Sequence, residues 1–384
     1  MAPTRNAYDA VVLGAGIVGL CCAWRLSQRG LSVLLLERDA PGSGSSGVAA
    51  GMLAPVTEAE FGEEALLALN LAGAAAWPAF SAELADVAEV PSGYRESGAL
   101  VVAADRDDAE ELRRLHAFQR SLGLDADWLS PRECRRLEPR LSPRVAGAIH
   151  APQDHQADPA AAVSALARAL ETEGGEIHAH AGDAALELDG DRVSGVRTRG
   201  GSIAAPVVVA AMGANSARLP GVPEHARPPV RPVKGEILTL RGPAERPLAE
   251  HVIRTPRCYI VPRADGRVVI GATTEERGFD TTVTAGGVHR LLEAAWEVLP
   301  DAGELELVAA RAGLRPGTPD NAPIIGTAEI EGLVWATGHH RNGVLLAPIT
   351  GAAVAAIVTG EEPPKPVERF GPARFAAALA GATS

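Results

Sequence analysis

The beginning of the chain alternates between apolar runs of strand length and one helical stretch. Residues 8–13 and 31–36 are short, continuous apolar runs, which are typical of strands buried on both faces of a parallel sheet. Between them, a glycine-rich turn at residues 14–19 leads into a helical pattern that Gly30 ends. The pattern therefore predicts a strand–helix–strand unit that opens an α/β domain.

The later patterns predict a second kind of architecture. Residues 61–84 are rich in alanine and leucine and predict a helix, with a break at Pro78. Residues 230–272 predict long antiparallel strands. A further strand is expected over residues 304–314, entering a loop at residues 315–321. Because a chain of 384 residues is too long for one core, we expect two domains.

The net charge, the cysteine spacing and the length of the longest apolar run limit the expected partners, metal sites and location of the protein. The net charge is -12, and an acidic chain repels phosphate backbones and anionic lipid, so we expect neither nucleic acid nor a membrane surface as a partner. The four cysteines lack a CxxC spacing, which favours neither a disulfide framework nor a metal site. Residues 343–358 are apolar but too short for a membrane span and include Pro348. These features are typical of a cytoplasmic protein.

Lysine is rare in this chain. Of 36 basic residues, only Lys234 and Lys365 are lysine, which indicates a general coding preference for arginine. A compact ammonium differs from a planar guanidinium in packing and hydration. We therefore expect internal Lys234 to have a role that arginine cannot fill.

The glycine-rich turn predicts a dinucleotide site. Gly14 permits the tight turn, Gly16 lets the backbone approach a pyrophosphate, and Gly19 allows the helix to pack closely on the strand. Glu37 lies 18 residues beyond Gly19, at the end of the second strand, where a carboxylate can accept hydrogen bonds from ribose hydroxyls. The first helix offers free N–H groups to the phosphates at its N-terminus.

Two further segments favour FAD over a nicotinamide cofactor. Residues 42–47 form a Gly/Ser loop, whose Ser45 and Ser46 hydroxyls are candidates for binding pyrophosphate. Ala50 and Gly51 are small enough for the backbone to approach a flat isoalloxazine ring. The residues of this half expected to contact the cofactor are Gly14, Gly16, Ile17, Val18, Gly19, Glu37, Arg38, Ser45, Ser46, Ala50, Gly51 and Met52.

A loop near the other end of the chain is expected to complete the flavin site. Residues 338–343 are flanked by glycine and open a helix, whose N-terminus can lie at the flavin pyrimidine end, where negative charge builds on reduction.

Several motifs resemble the bacterial glycine oxidases of thiamine synthesis, in the D-amino-acid oxidase superfamily. They are VVLGAGIVGL, GVAAGMLAP, PVKGEILTL, CYIVPRADGRVVIGATTEERGFD, RAGLRPGTPDNAPIIG and GHHRNGVLLAPITG, and they span nearly the whole chain. The last three are the most specific to this group.

The resemblance implies a fold of mixed class, α/β plus α+β. A Rossmann-like FAD-binding domain, expected from residues 1–88, 146–222 and 310–384, is interleaved with a substrate domain built on a large antiparallel sheet. We expect the substrate domain to comprise residues 89–145 and 223–309, with the active site where its sheet covers the flavin.

The resemblance also assigns roles to individual residues. It implies that Arg315 binds the substrate carboxylate, that Tyr259 assists it, and that Arg341 and Met52 lie near the substrate. It places a backbone group near Asp183 or Ala184 against the adenine. It also matches one stretch to the flavin loop, whose residues are His339, His340, Arg341, Asn342, Gly343, Val344 and Leu345. A planar two-donor guanidinium with a hydroxyl donor suits a carboxylate, and the flavin performs the difficult chemistry, so no catalytic side chain and no metal are expected.

The chain departs from the family pattern at three positions. Arg257 stands where a histidine can occur and Thr274 where a methionine can occur, and we expect both in the substrate pocket. Asn215 stands where an aromatic is common and is expected to lie farther from the chemistry. Residues 311–315 lack the cysteine through which sarcosine oxidases tether their flavin, so we expect FAD to be non-covalent.

The implied reaction is oxidative deamination of glycine and other small amines such as sarcosine or D-alanine, by hydride transfer to flavin N5 with O2 as acceptor. The products are glyoxylate or its imine, ammonia and H2O2, and the imine would supply thiazole synthesis for thiamine. Candidate partners include a thiazole synthase and further copies of the chain.

Three alternatives remain open on the sequence. The nearest is a sarcosine oxidase or a broader D-amino-acid oxidase or dehydrogenase. A tRNA-modifying flavin module is disfavoured by the acidic charge. A non-catalytic flavin binder is disfavoured because such a protein has no use for Arg315 together with Tyr259.

Overall fold

The computed structural model describes residues 5–375, so the outermost residues of the predicted domain ranges, 1–4 and 376–384, lie outside the described residues. The helices are α1 (Ile17–Gln28), α2 (Glu64–Ala88), α3 (Arg106–Ser121), α4 (Pro131–Leu137), α5 (Pro159–Thr172), α6 (Ala285–Val298) and α7 (Gly343–Thr359). The strands are β1 (Ala10–Leu13), β2 (Val33–Leu36), β3 (Met52–Leu53), β4 (Tyr94–Arg95), β5 (Ala99–Ala103), β6 (Asp127–Leu129), β7 (Gly147–Ala151), β8 (His155–Ala157), β9 (Glu176–His178), β10 (Ala185–Asp189), β11 (Arg192–Thr198), β12 (Gly201–Ala204), β13 (Val207–Ala210), β14 (Arg231–Arg241), β15 (Val252–Arg254), β16 (Tyr259–Pro262), β17 (Arg267–Gly271), β18 (Glu306–Gly317), β19 (Ile324–Thr327) and β20 (Leu333–Thr337).

A six-stranded sheet in the order β19-β20-β13-β1-β2-β9 forms the nucleotide-binding half. It is parallel except for the pair β19–β20. Helices α1, α2, α5 and α7 bury one face, and the small sheet β10–β12 covers the other. Strands that are covered on both faces are apolar throughout, and β1 and β2 are such strands. The predicted strand–helix–strand opening is confirmed as β1–α1–β2.

An eight-stranded sheet in the order β18-β14-β17-β16-β15-β5-β7-β6 forms the other half. It is antiparallel except for the pair β15–β5. One face packs against α6, with Leu238 and Ile270 of the sheet in the same core as Leu291 of α6. The other face, which includes Ile237 and Val261, is turned toward Ala50 in the nucleotide-binding half. The predicted combination of an α/β unit with a large antiparallel sheet is confirmed.

Two sequence-based expectations about secondary structure are wrong. Helix α2 continues through Pro78 without a break. Its Trp77 and Phe80 are buried in the core on either side of the proline, so tertiary packing holds the helix together. Strand β18 continues to Gly317, because it pairs with β14 through this region, so Arg315 lies on a strand and not in a loop.

The domain division remains a prediction. Its boundaries at residues 146 and 310 fall beside and inside strands of the eight-stranded sheet, β7 and β18. By strand pairing alone, we propose that residues 147–151 and 306–317 belong with the substrate half.

Two described helices, Glu64–Ala88 and His340–Thr359, are long and apolar enough to cross a membrane by length and composition. The second is longer than the sequence pattern indicated, because a helical turn precedes Gly343. However, 72% of the apolar 18-residue stretch of the second helix is buried within the protein, and 39% of the corresponding stretch of the first helix is buried. Core helices of soluble proteins pass the same test, so length and composition are weak evidence for a membrane span.

Candidate active site

A cavity of about 820 Å³ lies between the parallel sheet and the eight-stranded sheet. Its volume is within the range of small-molecule and cofactor sites. The predicted site residues that line it are Gly14, Gly16, Ile17, Val18, Glu37, Arg38, Ser45, Ser46, Ala50, Gly51, Met52, Ala184, Tyr259, Arg315, His339, His340, Arg341, Gly343 and Val344. Three predicted residues, Gly19, Asn342 and Leu345, are not among the lining residues.

The glycine-rich turn after β1 has the geometry that its sequence requires. Gly14 has φ +101°, and a Cβ there would lie 2.6 Å from the carbonyl oxygen of Ala211. A Cβ at Gly19 would lie 1.9 Å from the carbonyl oxygen of Gly14. Gly19 therefore acts by letting α1 pack on the turn, which explains why it does not line the cavity.

Polar groups of this half gather around the start of α1. Glu37 accepts hydrogen bonds from the backbone N–H of Ala15 at 2.7 Å and of Asp39 at 2.9 Å. The Ser46 hydroxyl accepts one from the N–H of Ile17 at 3.0 Å, whereas Ser45 donates to the carbonyl oxygen of Leu314. The two serines thus fix the Gly/Ser loop against both halves of the protein.

The loop before α7 forms another wall of the cavity. His339 is buried, its Nε2 lies 3.0 Å from the Thr350 hydroxyl, and burial lowers its pKa to about 3. Burial also lowers the pKa of His340 to about 4, with the nearby arginines adding to the shift. Both imidazoles are therefore neutral at physiological pH, which makes them poor candidates for a charged catalytic acid.

The groups in this wall fit a flavin dinucleotide. His340 Nδ1 is buried and has no hydrogen-bond partner among the described residues. No side chain within residues 5–375 caps the first turn of α7, and Gly343 and Val344 of that turn line the cavity. Uncapped N–H groups at a helix N-terminus favour an electron-rich ligand.

Arg315 and Tyr259 meet at the substrate end of the cavity. Arg315 Nη1 donates to the carbonyl oxygen of Thr273 at 3.2 Å. Burial raises the pKa of Tyr259, and the adjacent Arg315 guanidinium, within hydrogen-bonding reach of the phenol, offsets part of that rise. The structure thus brings together two residues that are 56 positions apart in the sequence.

Arg341 has a different environment. It forms ion pairs with Glu63 at 2.8 Å, with Glu60 at 3.1 Å and with Glu58 at 3.8 Å. Burial lowers the pKa of Arg341, but these carboxylates outweigh it and hold the pKa above its ordinary value. Its charge is already matched by protein carboxylates.

Arg315, in contrast, has no carboxylate within ion-pair distance in the part of the chain that the structure describes. Among the other arginines that line the cavity, Arg38 pairs with Asp39, and Arg218 stacks on the Phe279 ring at 3.5 Å from its centroid. An arginine in a partly enclosed site is best satisfied by an anion. The arrangement therefore leaves Arg315, beside Tyr259, suited to bind a carboxylate ligand.

Sequence reasoning missed Glu58, which lines the cavity and lies 3.6 Å from Arg254. The signal available was the cluster of Glu58, Glu60 and Glu63 soon after Met52, but nothing in the sequence linked that cluster to Arg341, which is 278 positions from Glu63.

We expected two of the residues that depart from the family pattern to lie in the substrate pocket, and this placement is wrong. Neither Arg257 nor Thr274 lines the cavity. Arg257 is exposed and pairs with Glu297 on α6, because the turn that carries it faces solvent. Asn215 lines the same cavity, along which the dinucleotide residues also lie, so its expected distance from the chemistry stays a prediction.

Comparison with known proteins agrees with this geometry. A family profile described as DAO, FAD dependent oxidoreductase, matches residues 9–357. The glycine oxidase of Geobacillus kaustophilus is 37% identical over 360 residues, which cover 92% of this chain and 94% of that protein. A crystal structure of glycine oxidase from the same organism has a TM-score of 0.88 at 35% identity, covering 96% of this chain and 99% of that one. The bifunctional protein ThiO/ThiG of Trichormus variabilis is 34% identical over 371 residues, which cover 96% of this chain but 55% of that protein.

Proposed function

Because this chain belongs to the DAO family of FAD-dependent oxidoreductases, we propose that it oxidises glycine and other small amines such as sarcosine or D-alanine, with O2 as electron acceptor. The observation that carries the choice of substrate is the pairing of Arg315, which lacks a carboxylate partner in the described chain, with Tyr259 at one end of the cavity. Two glycine oxidase comparisons, each covering more than nine-tenths of this chain, support the same choice.

When bound, FAD supplies the two-electron chemistry, and the residues of the chain bind and orient. We assign the dinucleotide to the residues around Gly14, Gly16 and Glu37, and the flavin to the loop before α7. Arg315 holds the substrate carboxylate with its planar fork, and the Tyr259 hydroxyl donates to the same group. Fixing the carboxylate also fixes Cα, which makes the reaction effectively intramolecular.

No protein nucleophile enters this scheme. The neutral His340 imidazole offers a hydrogen bond at the cavity wall, and Met52 lies on the same surface. The substrate amine is taken from solution in its free form, so a protein base is not needed. The expected products are glyoxylate or its imine, ammonia and H2O2.

The physiological role follows from the imine. We propose that it supplies thiazole synthesis for thiamine and that a thiazole synthase is a partner. The support is the 34% identity with the bifunctional ThiO/ThiG protein, of which this chain matches only 55% of the length, leaving room there for a second activity.

Discrimination among small substrates is expected to be modest. A clamp on the carboxylate leaves selection to the space around Cα, where one methylene is worth about 1–3 kcal/mol. We therefore expect overlap among glycine, sarcosine and D-alanine, with larger D-amino acids disfavoured by clashes.

The test is a substrate panel with two readouts, O2 uptake and peroxide formation. Glycine, sarcosine and D-alanine should consume O2 and give equimolar peroxide. Faster peroxide formation with D-proline or D-phenylalanine would indicate a broader D-amino-acid oxidase. Flavin reduction by glycine without peroxide would indicate a dehydrogenase.

A further inference from the structure

Lys234 is fully buried, at 0% exposure, in the strand that passes beneath the substrate end of the cavity. Its Nζ lies 3.0 Å from Glu236 Oε1 and 3.9 Å from Glu275 Oε1. Because neighbouring residues of a strand face opposite sides, Lys234 and Glu236 face away from the cavity, whereas Gly235 between them lines it. A buried ion pair thus lies directly behind the substrate site.

Glu236 connects this pair to α6. Its Oε1 accepts from both the N–H and the hydroxyl of Thr284, at 3.1 Å each, and Thr284 is the N-cap residue of α6. Burial alone would raise the pKa of Glu236, but the bonds from Lys234 and Thr284 outweigh it and hold the pKa below its usual value. The carboxylate is therefore ionised and requires the lysine as its counter-ion.

Thr273 connects the same pair to the substrate clamp. Its hydroxyl accepts from the N–H of Glu236 at 2.9 Å and donates to Glu275 at 3.2 Å. The backbone of Glu275 exchanges two hydrogen bonds with that of Lys234, both at 2.9 Å. The carbonyl oxygen of Thr273 accepts the bond from Arg315 Nη1 at 3.2 Å. The segment that orients Arg315 is therefore held from behind by Lys234 and its two carboxylates.

We propose that Lys234 is a positioning residue for substrate binding: it holds residues 273–275 so that the Thr273 carbonyl aims the Arg315 guanidinium at the substrate carboxylate. The inference rests on the proposed function, in which Arg315 binds that carboxylate. It also explains why lysine persists here. A guanidinium is a wide planar fork with five N–H donors, whereas the compact ammonium of Lys234 fits a fully buried position beside the Glu236 and Glu275 carboxylates.

The test combines three test variants, Lys234→Met, Lys234→Arg and Thr273→Val, and one control with two binding readouts. Lys234→Met removes the ammonium, and Thr273→Val removes only the hydroxyl link between the pair and the clamp segment. Leu240→Ala is the matched control, because Leu240 lies on β14 on the same side of the sheet, is 1% exposed, and is remote from Thr273. The readouts are glycine kinetics and the Kd of acetate, measured from the perturbation of the FAD absorption spectrum in the holoenzyme.

In both Lys234→Met and Thr273→Val, we expect the KM for glycine and the Kd for acetate to rise at least about tenfold. The kcat should stay within about threefold, because the flavin site is untouched. Leu240→Ala should lower the unfolding temperature and leave KM and Kd unchanged. Lys234→Arg should behave like Lys234→Met and not restore binding.

Two outcomes overturn the inference separately from the proposed function. Suppose that the wild-type enzyme oxidises glycine and binds acetate. If folded Lys234→Met then has the same KM for glycine and the same Kd for acetate, Lys234 has no positioning role. If Lys234→Met does not fold, unchanged KM and Kd in Thr273→Val overturn the inference in the same way. A wild-type enzyme that neither oxidises the substrate panel nor binds acetate overturns the proposed function and the inference together.

Discussion

The space that Arg315 occupies exists because residue 235 is glycine. A Cβ at Gly235 would lie 2.4 Å from Arg315 Nη1 and 2.7 Å from its Cζ, so the guanidinium rests on the bare backbone of β14. Gly235 pairs across the sheet with Gly313, two residues before Arg315. The position of the carboxylate clamp thus depends on a side chain that is absent from the neighbouring strand.

Gly235→Ala should therefore displace the Arg315 guanidinium. Since 2.4 Å is far below van der Waals contact, the guanidinium must move, and we expect the KM for glycine to rise at least about tenfold. Steady-state kinetics with flavin content as a check would measure this. Gly286→Ala is the control, because Gly286 is exposed on α6 and an added Cβ meets only the end of a flexible arginine. An unaltered KM in Gly235→Ala would show that Arg315 does not need its present position.

Arg315→Leu should weaken binding of the substrate carboxylate directly. Losing a charge-assisted hydrogen bond costs on the order of 1.5–3 kcal/mol, so the KM for glycine should rise at least roughly tenfold. Tyr259→Phe should cause a smaller rise, because it removes one neutral donor. Arg315→Lys should be intermediate, since it keeps the charge but loses the planar fork.

An unchanged KM for glycine in Arg315→Leu would contradict the assignment of Arg315 as the residue that binds the substrate carboxylate. Arg341 would then be the next candidate, although its ion pairs with Glu60 and Glu63 leave it less free. An Arg341→Leu variant compared under the same conditions separates the two.

FAD should be released intact by acid. The four cysteines, Cys21, Cys22, Cys134 and Cys258, are all buried, and none lines the cavity. Gly313, within the segment where a tethering cysteine was considered, cannot carry a side chain without meeting Val48, whose Cγ2 would lie 1.9 Å from the new Cβ. After acid precipitation the yellow colour should be in the supernatant, and colour that stays in the protein pellet would contradict non-covalent binding.

Local sequence patterns predicted the nucleotide half well because its signals are local. The turn at Gly14 and the helix stop at Gly30 each depend on residues within one turn or so of chain. The ion pair of Arg341 with Glu63 depends on segments that only folding brings together, and no periodic pattern encodes it. For the same reason the extension of β18 through Arg315 was missed, since pairing with β14 overrides the loop signal of the prolines and glycines.

The environment of Lys234 could be predicted from the sequence only in part. Its rarity as a lysine pointed to a special role, and its complete burial agrees with that expectation. However, the identity of its partners could not be predicted. Glu236 is two residues away on the same strand, but Glu275 lies in a segment that follows three further strands.

His339 should make stability depend on pH in a defined direction. Its pKa falls from an ordinary value of 6.5 to about 3 on folding, because burial disfavours the charged imidazole. Since the folded pKa is the lower one, the stabilisation is complete above pH 6.5 and is lost as pH falls toward 3, by about 2 kcal/mol between pH 7.5 and 5.0.

Urea unfolding with FAD in excess should therefore show that His339→Asn loses less stability than the wild type over this interval. Thr350→Val, which removes the hydrogen bond to His339 but keeps the imidazole, should retain the wild-type pH dependence. Equal pH dependence in His339→Asn and the wild type would mean that His339 titrates normally in the folded protein.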